Sequence, residues 1–440
     1  MWPVTSQLPW QKEKDNKRIM EVKAGLLKVI QEARKKFSPY NLLLPHLQNL
    51  PLNRPIYIFA LGKAAYQMAE AALSIASHDP LIRIMAGLVI TRYGNSKGPL
   101  DKMTILESSH PIPNEDSLKA ADAAIEFLQK LNENDILLVL LSGGGSALLE
   151  KPVEGVTLEE IMEITRKLLD SGADIETINS ERKKYSAVKG GKLINYANCK
   201  SVMIYAMSDV PGDKPKYIAS NPFLPEAETD DITMGLDSSR RFDMMPGKKL
   251  QQVGKAVVYK IICNNRAFRD SVREAALEII PPLRSDNVHI VSTDLTGEAV
   301  QIGKEISKMA DLITKQKGKG FSAFRTPCLL IFGGETSVTV RGNGIGGRCT
   351  ELALATVEGI SQLNNCVLMT YATDGQDGFC NASGAIVDYQ TKAKIMEHGI
   401  DIDSFLYDND SYTALKAADA IIPSEPTGIN VNDVVLLYIQ

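Results

Sequence analysis

The sequence predicts an α/β protein of two domains, each built on a largely parallel, doubly wound sheet. Three observations carry this. Strands such as ILLVLL (136–141) are apolar at every position, the pattern of parallel strands covered on both faces. Helical patterns recur between such strands along the chain. With 440 residues the chain is too long for one ordinary core.

The elements follow in order. Residues 20–38 carry apolar side chains at three- and four-residue spacing and read as a helix. Residues 54–76 begin as a strand ending near Ala60, turn at Gly62 and become a helix near Lys63. Residues 84–91 are a second strand. In 105–130 a strand precedes a helix that starts after Asn114, with Ser117 at the third position. The strand from 136 runs into Ser142-Gly143-Gly144-Gly145-Ser146. Thr157 opens the next helix in a capping box with Glu160, and Ser171-Gly172 ends it. A strand at 201–209 follows, and 220–256 reads as a boundary or an excursion from the core. Strands at 257–265 and 288–292 flank a helix at 266–280. The glycine-rich 315–324 is a hinge or surface loop. CLLIFGGETSVTV (328–340) reads as two short strands about Gly333-Gly334, and Gly342–Arg348 as a glycine-rich loop. A helix at 351–361, a strand at 366–375 and a β-branched strand at 430–439 complete the chain. The domains are placed at 20–256 and 257–440, with the N-terminal helix free to pack on the second.

Composition narrows the function. A net charge of -4 gives no general basic surface for nucleic acid. Local clusters such as Arg182-Lys183-Lys184 suit a small anion. None of the six cysteines forms a CxxC pair or a zinc spacing, so buried, reduced thiols of a cytoplasmic protein are expected. No apolar run is long enough to span a membrane, and the N-terminus does not read as a signal peptide.

Ligands of open parallel sheets gather beyond the carboxyl ends of the strands, and four loops leave there, at Gly62, Ser142, Ser208 and Thr373. The Ser142–Ser146 loop can offer backbone N–H groups to an anion, with a helix start behind it. It is neither a Walker A loop nor GxSxG. Lys63 can bring a point charge to phosphate or carboxylate, or remain a solvated first-turn lysine. Asp209 and Asp213 flank a rigid turn and can take a proton or hold hydrated Mg2+; an Asx-type turn is the plain alternative. Thr336 can donate to an oxygen, and Arg348 offers a planar fork for carboxylate or phosphate. Asp374 can position a hydroxyl or contact a metal, while Asp377 holds its loop. His110 can orient a substrate, though a lone histidine is more often structural. Five histidines without an HxxxH pattern argue against a zinc active site.

Seven segments, in order along nearly the whole chain, resemble the glycerate 2-kinase family, also called the MOFRL family. They are ALGKAA (60–65), SSHPIPNEDS (108–117), LLSGGGSALL (140–149), SERKKYSAVKGGKL (180–193), MSDVPGD (207–213), GGETSVTVRGNGIGGR (333–348) and ATDGQDG (372–378). The resemblance implies two α/β domains with an active-site cleft between them, and transfer of phosphate from ATP to the 2-hydroxyl of D-glycerate with Mg2+ or another divalent cation. Carried over residue by residue, it makes Lys63, Asp209 and Arg348 catalytic. Beside that carry-over, Ser142, Gly143, Gly144, Gly145, Ser146, Lys189, Gly190 and Thr336 are expected at the nucleotide. His110, Arg182 and Asp374 go to the substrate, and Asp209 with Asp213 to the metal. A homodimer is a candidate assembly. Two stretches depart from the family pattern: Arg182-Lys183-Lys184-Tyr185 stands where RKH is common, and Gly346-Gly347-Arg348-Cys349-Thr350-Glu351 where GGRNQE is common. A kinase acting on another small hydroxy acid is the nearer rival; an oxidoreductase acting on hydroxypyruvate or tartronate semialdehyde is disfavoured because no GxGxxG follows an early strand with an acidic residue about 20 positions later. A non-catalytic metabolite sensor is the other rival. Lys, Asp and Arg spread over several loops favour chemistry.

Overall fold

The structure, a computed structural model, describes residues 9–50, 54–170, 175–224, 248–252, 255–316 and 324–440. Most of the excursion expected at 220–256 and of the loop at 315–324 lies outside these residues. The chain forms two compact units. The first holds Phe37–Asn264 and returns for Gly428–Val431; the second holds the N-terminal helix, Asn265–Thr427 and Asn432–Gln440. A boundary between 256 and 257 would cut a strand, Lys255–Asn264, that pairs along its length with the first unit's sheet. The passage instead falls at Asn264/Asn265, where that strand ends.

Helix α1 (Pro9–Lys36) belongs to the second unit. The first unit runs α2 (Pro39–Leu47), β1 (Ile56–Leu61), α3 (Ala65–His78), β2 (Ile84–Arg92), β3 (Met103–Ser108), α4 (Glu115–Gln129), β4 (Ile136–Leu141), α5 (Gly145–Leu148), α6 (Leu158–Asp170), α7 (Ile175–Tyr185), β5 (Ser201–Ser208), β6 (Lys248–Gln252) and β7 (Lys255–Asn264). Its sheet has the order β3-β2-β1-β4-β5-β7-β6, parallel except for β6. Alternate residues of the central strands, Phe59, Leu61, Val139 and Leu141, pack with Ala120, Ala121, Ala124 and Leu128 of α4. The residues between them, Ile58, Ala60, Leu138 and Leu140, are fully buried too. A strand apolar at every position is therefore what two covered faces demand. Each buried Val, Leu, Ile or Phe side chain contributes about 1.5–3 kcal/mol, so a charge at Val139 would undo the sheet's centre. Both expected helix starts are present. Asn114 caps α4 with Ser117, and Thr157 accepts from Glu160 N while its own N donates to the Glu160 carboxylate.

The second unit continues with α8 (Asn265–Ile279), β8 (Val288–Leu295), α9 (Ala299–Lys315), β9 (Cys328–Gly334), α10 (Arg348–Ile360), β10 (Cys366–Ala372), β11 (Ala382–Asp388), α11 (Thr391–Glu397), α12 (Ile402–Tyr407), α13 (Ser411–Ala417), β12 (Ile421–Pro423) and β13 (Asp433–Ile439). Helix α1 packs on α8 and β10. The sheet order is β12-β11-β10-β13-β9-β8. Here the expectation of a largely parallel sheet is corrected: β9–β8 is parallel, but β13 runs antiparallel to both β9 and β10, and β11 antiparallel to β10 and β12. The connection from β10 to β11 is too short for a parallel crossover of a dozen residues or more. The final strand fills the gap between β9 and β10 from the opposite direction. A strand buried on both faces looks equally apolar in either orientation, so the sequence does not distinguish them. Residues 335–340, expected as a strand, instead form irregular chain with one bridge, Glu298 to Ser337.

Candidate functional site

In the first sheet the strand order reverses between β1 and β4, and ligands of such sheets bind beyond the carboxyl ends at that point. The loops leaving these two strands are bonded to each other. Lys63 N donates to Gly143 O at 2.9 Å, and Ala64 N to Ser142 Oγ at 3.0 Å. Gly62 has φ +126 and fits beside Ser142, where any side chain would collide. Gly144 sits at φ +85, and a Cβ there would stand 3.0 Å from Lys63 Cγ and 3.2 Å from the His110 ring. A Cβ on Gly143 would overlap the Asp209 carboxylate and the Asn430 amide. Lys63, His110 and Asp209, read from three separate segments, thus gather around one glycine loop.

Asp209 follows the end of β5, and Asn430 Nδ2 donates to its Oδ2 at 3.1 Å. Asp213 Oδ2 accepts from Asn264 Nδ2 at 2.7 Å. Ser146 Oγ lies 2.6 Å from Ser220 Oγ, in a run where Ala219, Ser220 and Asn221 have φ of 50, 52 and 48. Three consecutive left-handed residues without glycine cost energy and persist only when their surroundings hold them. The holding bonds include Gly190 N to Ser220 O at 3.0 Å, Gly191 N to Asn221 O at 2.7 Å, and Ser220 Oγ to Asn179 Oδ1 at 2.7 Å.

Arg182 and Lys189 are placed differently from the expectation of direct ligand contact. Arg182 is buried, with Nε bonded to Thr165 Oγ1 at 3.2 Å and Nη2 to Pro111 O at 3.1 Å. Lys189 is 2% exposed; its Nζ donates to Leu149 O at 3.1 Å and is ion-paired with Glu150. Burial lowers the pKa of both cations, and the Glu150 charge opposes it. Gly190 N is bonded to Ser220, so it does not point at an anion. The sequence shows a lysine beside two glycines but not the acid 39 positions earlier that pairs with it.

In the second unit Arg348 is the first residue of α10. Its Nη1 pairs with Glu335, its Nε lies 3.2 Å from Asp433 Oδ2, and its Nη2 donates to Asp433 Oδ1 at 3.3 Å. Burial alone would lower the Arg348 pKa; Asp433 foremost, with other nearby acids, outweighs it, so the net shift is upward. Burial pushes Asp433 up to about 6, with Arg348 pulling the other way. Thr336 is buried and lines a small pocket with Arg348 and Asp433. Asp374 Oδ1 accepts from Gln376 N at 3.0 Å. Asp377 holds its loop as expected: Cys349 N, Thr350 N and Thr350 Oγ1 donate to it at 2.9, 2.8 and 2.8 Å, stabilising the start of α10. Burial raises its pKa and those three bonds lower it.

Asn430, Asp433, Glu335 and Glu150 were not singled out from the sequence. Asp433 had a findable signal, a carboxylate where a polar stretch meets an apolar strand. All six cysteines are buried and unpaired. Among the described residues no three His, Cys, Asp or Glu side chains form a metal-holding group, and no helix is long and apolar enough to cross a membrane.

The comparisons agree with this two-part arrangement. The model described as a domain of unknown function, DUF4147, matches residues 25–249, and the MOFRL family model matches 328–433. A D-glycerate 2-kinase of Thermotoga maritima is 37% identical over 416 residues, covering 93% of this chain and 96% of the relative. A protein of Agrobacterium vitis named putative hydroxypyruvate reductase is 34% identical over 389 residues, covering 86% and 97%. The crystal structure of a glycerate kinase from Thermotoga maritima superposes with a TM-score of 0.76 at 36% identity, covering 95% of this chain and 99% of that one. With both family models in sequence and relatives matched nearly end to end, this chain belongs to the glycerate 2-kinase family.

Proposed function

We propose that the chain transfers the γ-phosphoryl group of ATP to the 2-hydroxyl of D-glycerate, giving 2-phosphoglycerate and ADP. The observation that carries this reading is the gathering of Lys63, His110 and Asp209 around the Gly143–Gly145 loop, at the sheet's switch point, in a member of this family. In the reaction an O–P bond forms from the glycerate 2-oxygen as the bond to the β,γ-bridging oxygen breaks. Asp209 orients the hydroxyl and takes its proton. The Ser142–Ser146 loop receives phosphate oxygens, and Lys63 offsets their charge. His110 contacts the substrate, and Arg348 offers its fork to an anionic group of a reactant. Thr336 and Asp374 complete the polar groups near Arg348. Such chemistry rests on positioning and electrostatics. Asp209 fits a divalent cation, because Mg2+ is commonly held by one or two carboxylates together with substrate phosphates. When bound, that ion neutralises phosphate charge. Arg182 holds the His110–Pro111 loop through Pro111 O, and Lys189 ties Leu149, the residue after α5, to Glu150. The protein works in the cytoplasm, on small molecules.

A reductase reading has the name of the Agrobacterium vitis relative in its favour. Gly342–Gly347 even has GxGxxG spacing. However, irregular chain rather than a strand precedes it. The N–H groups of Arg341 and Gly342 donate to Asn409, those of Asn343 and Gly344 to Asp408, and that of Ile345 to Asp410. They are not aimed at a pyrophosphate.

Incubation with ATP, Mg2+ and D-glycerate, read by mass spectrometry and phosphorus NMR, tests the proposal. ADP with 2-phosphoglycerate supports it, and 3-phosphoglycerate would move the acceptor position. Absence of phosphorylated glycerate, with NADH consumed on hydroxypyruvate, would favour the reductase.

A further inference from the structure

The guanidinium of Arg348 is shared by two carboxylates in different settings. Asp433 takes the edge formed by Nε and Nη2, and its side chain is 9% exposed. It starts β13, where its backbone pairs with Gly334 on one side and Ala372 on the other, and its carbonyl accepts from Asn265 Nδ2 at 3.1 Å. Glu335 takes Nη1, and its side chain is 42% exposed. Its backbone is tied by a 2.8 Å bond to Leu295 O, but the carboxylate stands on a longer, solvated stem.

We propose that Asp433 is a positioning residue that fixes the fork of Arg348, while Glu335 is an exchangeable internal anion that an incoming carboxylate or phosphate displaces from Nη1. The proposal rests on the reading of Arg348 as the cation for a reactant's anionic group. The physical asymmetry is direct. A buried carboxylate can give up its cation only at the full cost of being left unpaired, whereas a half-exposed one rehydrates with little loss. An arriving anion therefore competes with Glu335 and leaves Asp433 in place. Glu335 lowers the enzyme's affinity for that reactant and keeps the fork aligned when none is bound.

Initial-rate kinetics with ATP and D-glycerate on Glu335→Gln, Asp433→Asn and Arg348→Ala test this. Glu335→Gln should lower KM for one reactant by about two- to fivefold, the scale of a half-exposed ion pair, with kcat changing less. Whether ATP or D-glycerate shows the change identifies the phosphate or the carboxylate as the displacing anion. Asp433→Asn should act in the opposite direction, lowering kcat/KM by roughly tenfold or more. A purely structural role would make both variants worse. Unchanged or raised KM for both reactants in Glu335→Gln overturns the proposal, and that readout stands even where Asp433→Asn fails to fold. If Arg348→Ala has normal kinetics, the reading of Arg348 fails first, and the division of labour goes with it.

Discussion

Asn430 Nδ2 donates a 3.1 Å hydrogen bond to Asp209 Oδ2 across 221 positions of sequence. The chain returns to the first unit for only Gly428–Val431, and within that segment Asn430 is buried. A neutral donor on a carboxylate fixes its direction without neutralising it, which suits the role proposed for Asp209, orienting a hydroxyl and accepting its proton. Hydrogen bonds to charged groups contribute about 1.5–3 kcal/mol. Asn430→Ala should therefore lower kcat/KM by roughly 10- to 100-fold. Asn430→Asp should be worse still, since it sets two like charges side by side. Steady-state kinetics rank the two, and an Asp variant more active than the Ala variant would contradict the role of a neutral donor.

The same corner explains Gly143. Its missing side chain is the space that the Asp209 carboxylate and the Asn430 amide occupy. Gly143→Ala pushes both side chains aside, while the atoms it meets are side-chain ends that can move. The fold should survive with a thermal midpoint close to that of the parent. Activity should not, because a displacement of about 1 Å costs on the order of 100-fold. Paired measurement of kcat/KM and thermal unfolding separates the two effects, and a Gly143→Ala enzyme of near-normal activity would remove Asp209 from the reaction.

Asp433 gives a pH prediction. Its pKa is raised from 3.8 to about 6, first by burial. The folded state then binds a proton between those values that the unfolded chain has released. The penalty of burying the ionised carboxylate is full above about 6 and fades as pH falls toward 3.8, so this group adds stability on acidification. Its grip on Arg348 does the reverse, because the protonated acid loses its charge. The expected signature is an acid limb in kcat/KM near pH 6, without a matching drop in thermal midpoint caused by this group. Asp433→Asn should flatten that limb at a lower plateau. A limb that persists unchanged in the variant belongs to another residue.

The first sheet was legible because parallel strands and their loops announce themselves locally: an apolar run, then glycine or a polar residue. Lys63, the Ser142–Ser146 loop and Asp209 all follow that rule at the carboxyl ends of β1, β4 and β5. Asp433 lies at the amino end of its strand. It reaches the same edge as the carboxyl ends of β9 and β10 because β13 runs against both. A search limited to carboxyl ends passes over it, and strand direction is not written in VVLLYI. Asn430 and Glu150 were hidden for another reason. Their meaning lies in a partner far along the chain, and polarity at one position says nothing about what it will meet after folding.

Lys189 is where a local motif and a distant partner lead to different expectations. As a nucleotide ligand it would contribute mainly to ATP affinity. As one half of a buried pair with Glu150 it contributes to the fold, and the pair need not stabilise relative to apolar replacements. Removing one member of such a pair costs roughly 3–5 kcal/mol, because it strands the other charge, whereas replacing both by apolar groups is often neutral. Lys189→Met and Glu150→Leu should each lower the urea midpoint of the first unit, and the double variant should recover most of the loss. Leu149 O loses its donor in both lysine variants, so recovery should stop short of the parent by about 1 kcal/mol. The double variant then decides the lysine's role, since it is folded and lacks the ammonium. An ATP KM within about threefold of the parent assigns Lys189 to the structural pair. An ATP KM raised by tenfold or more, on the order of one lost charge-assisted contact, returns it to the nucleotide.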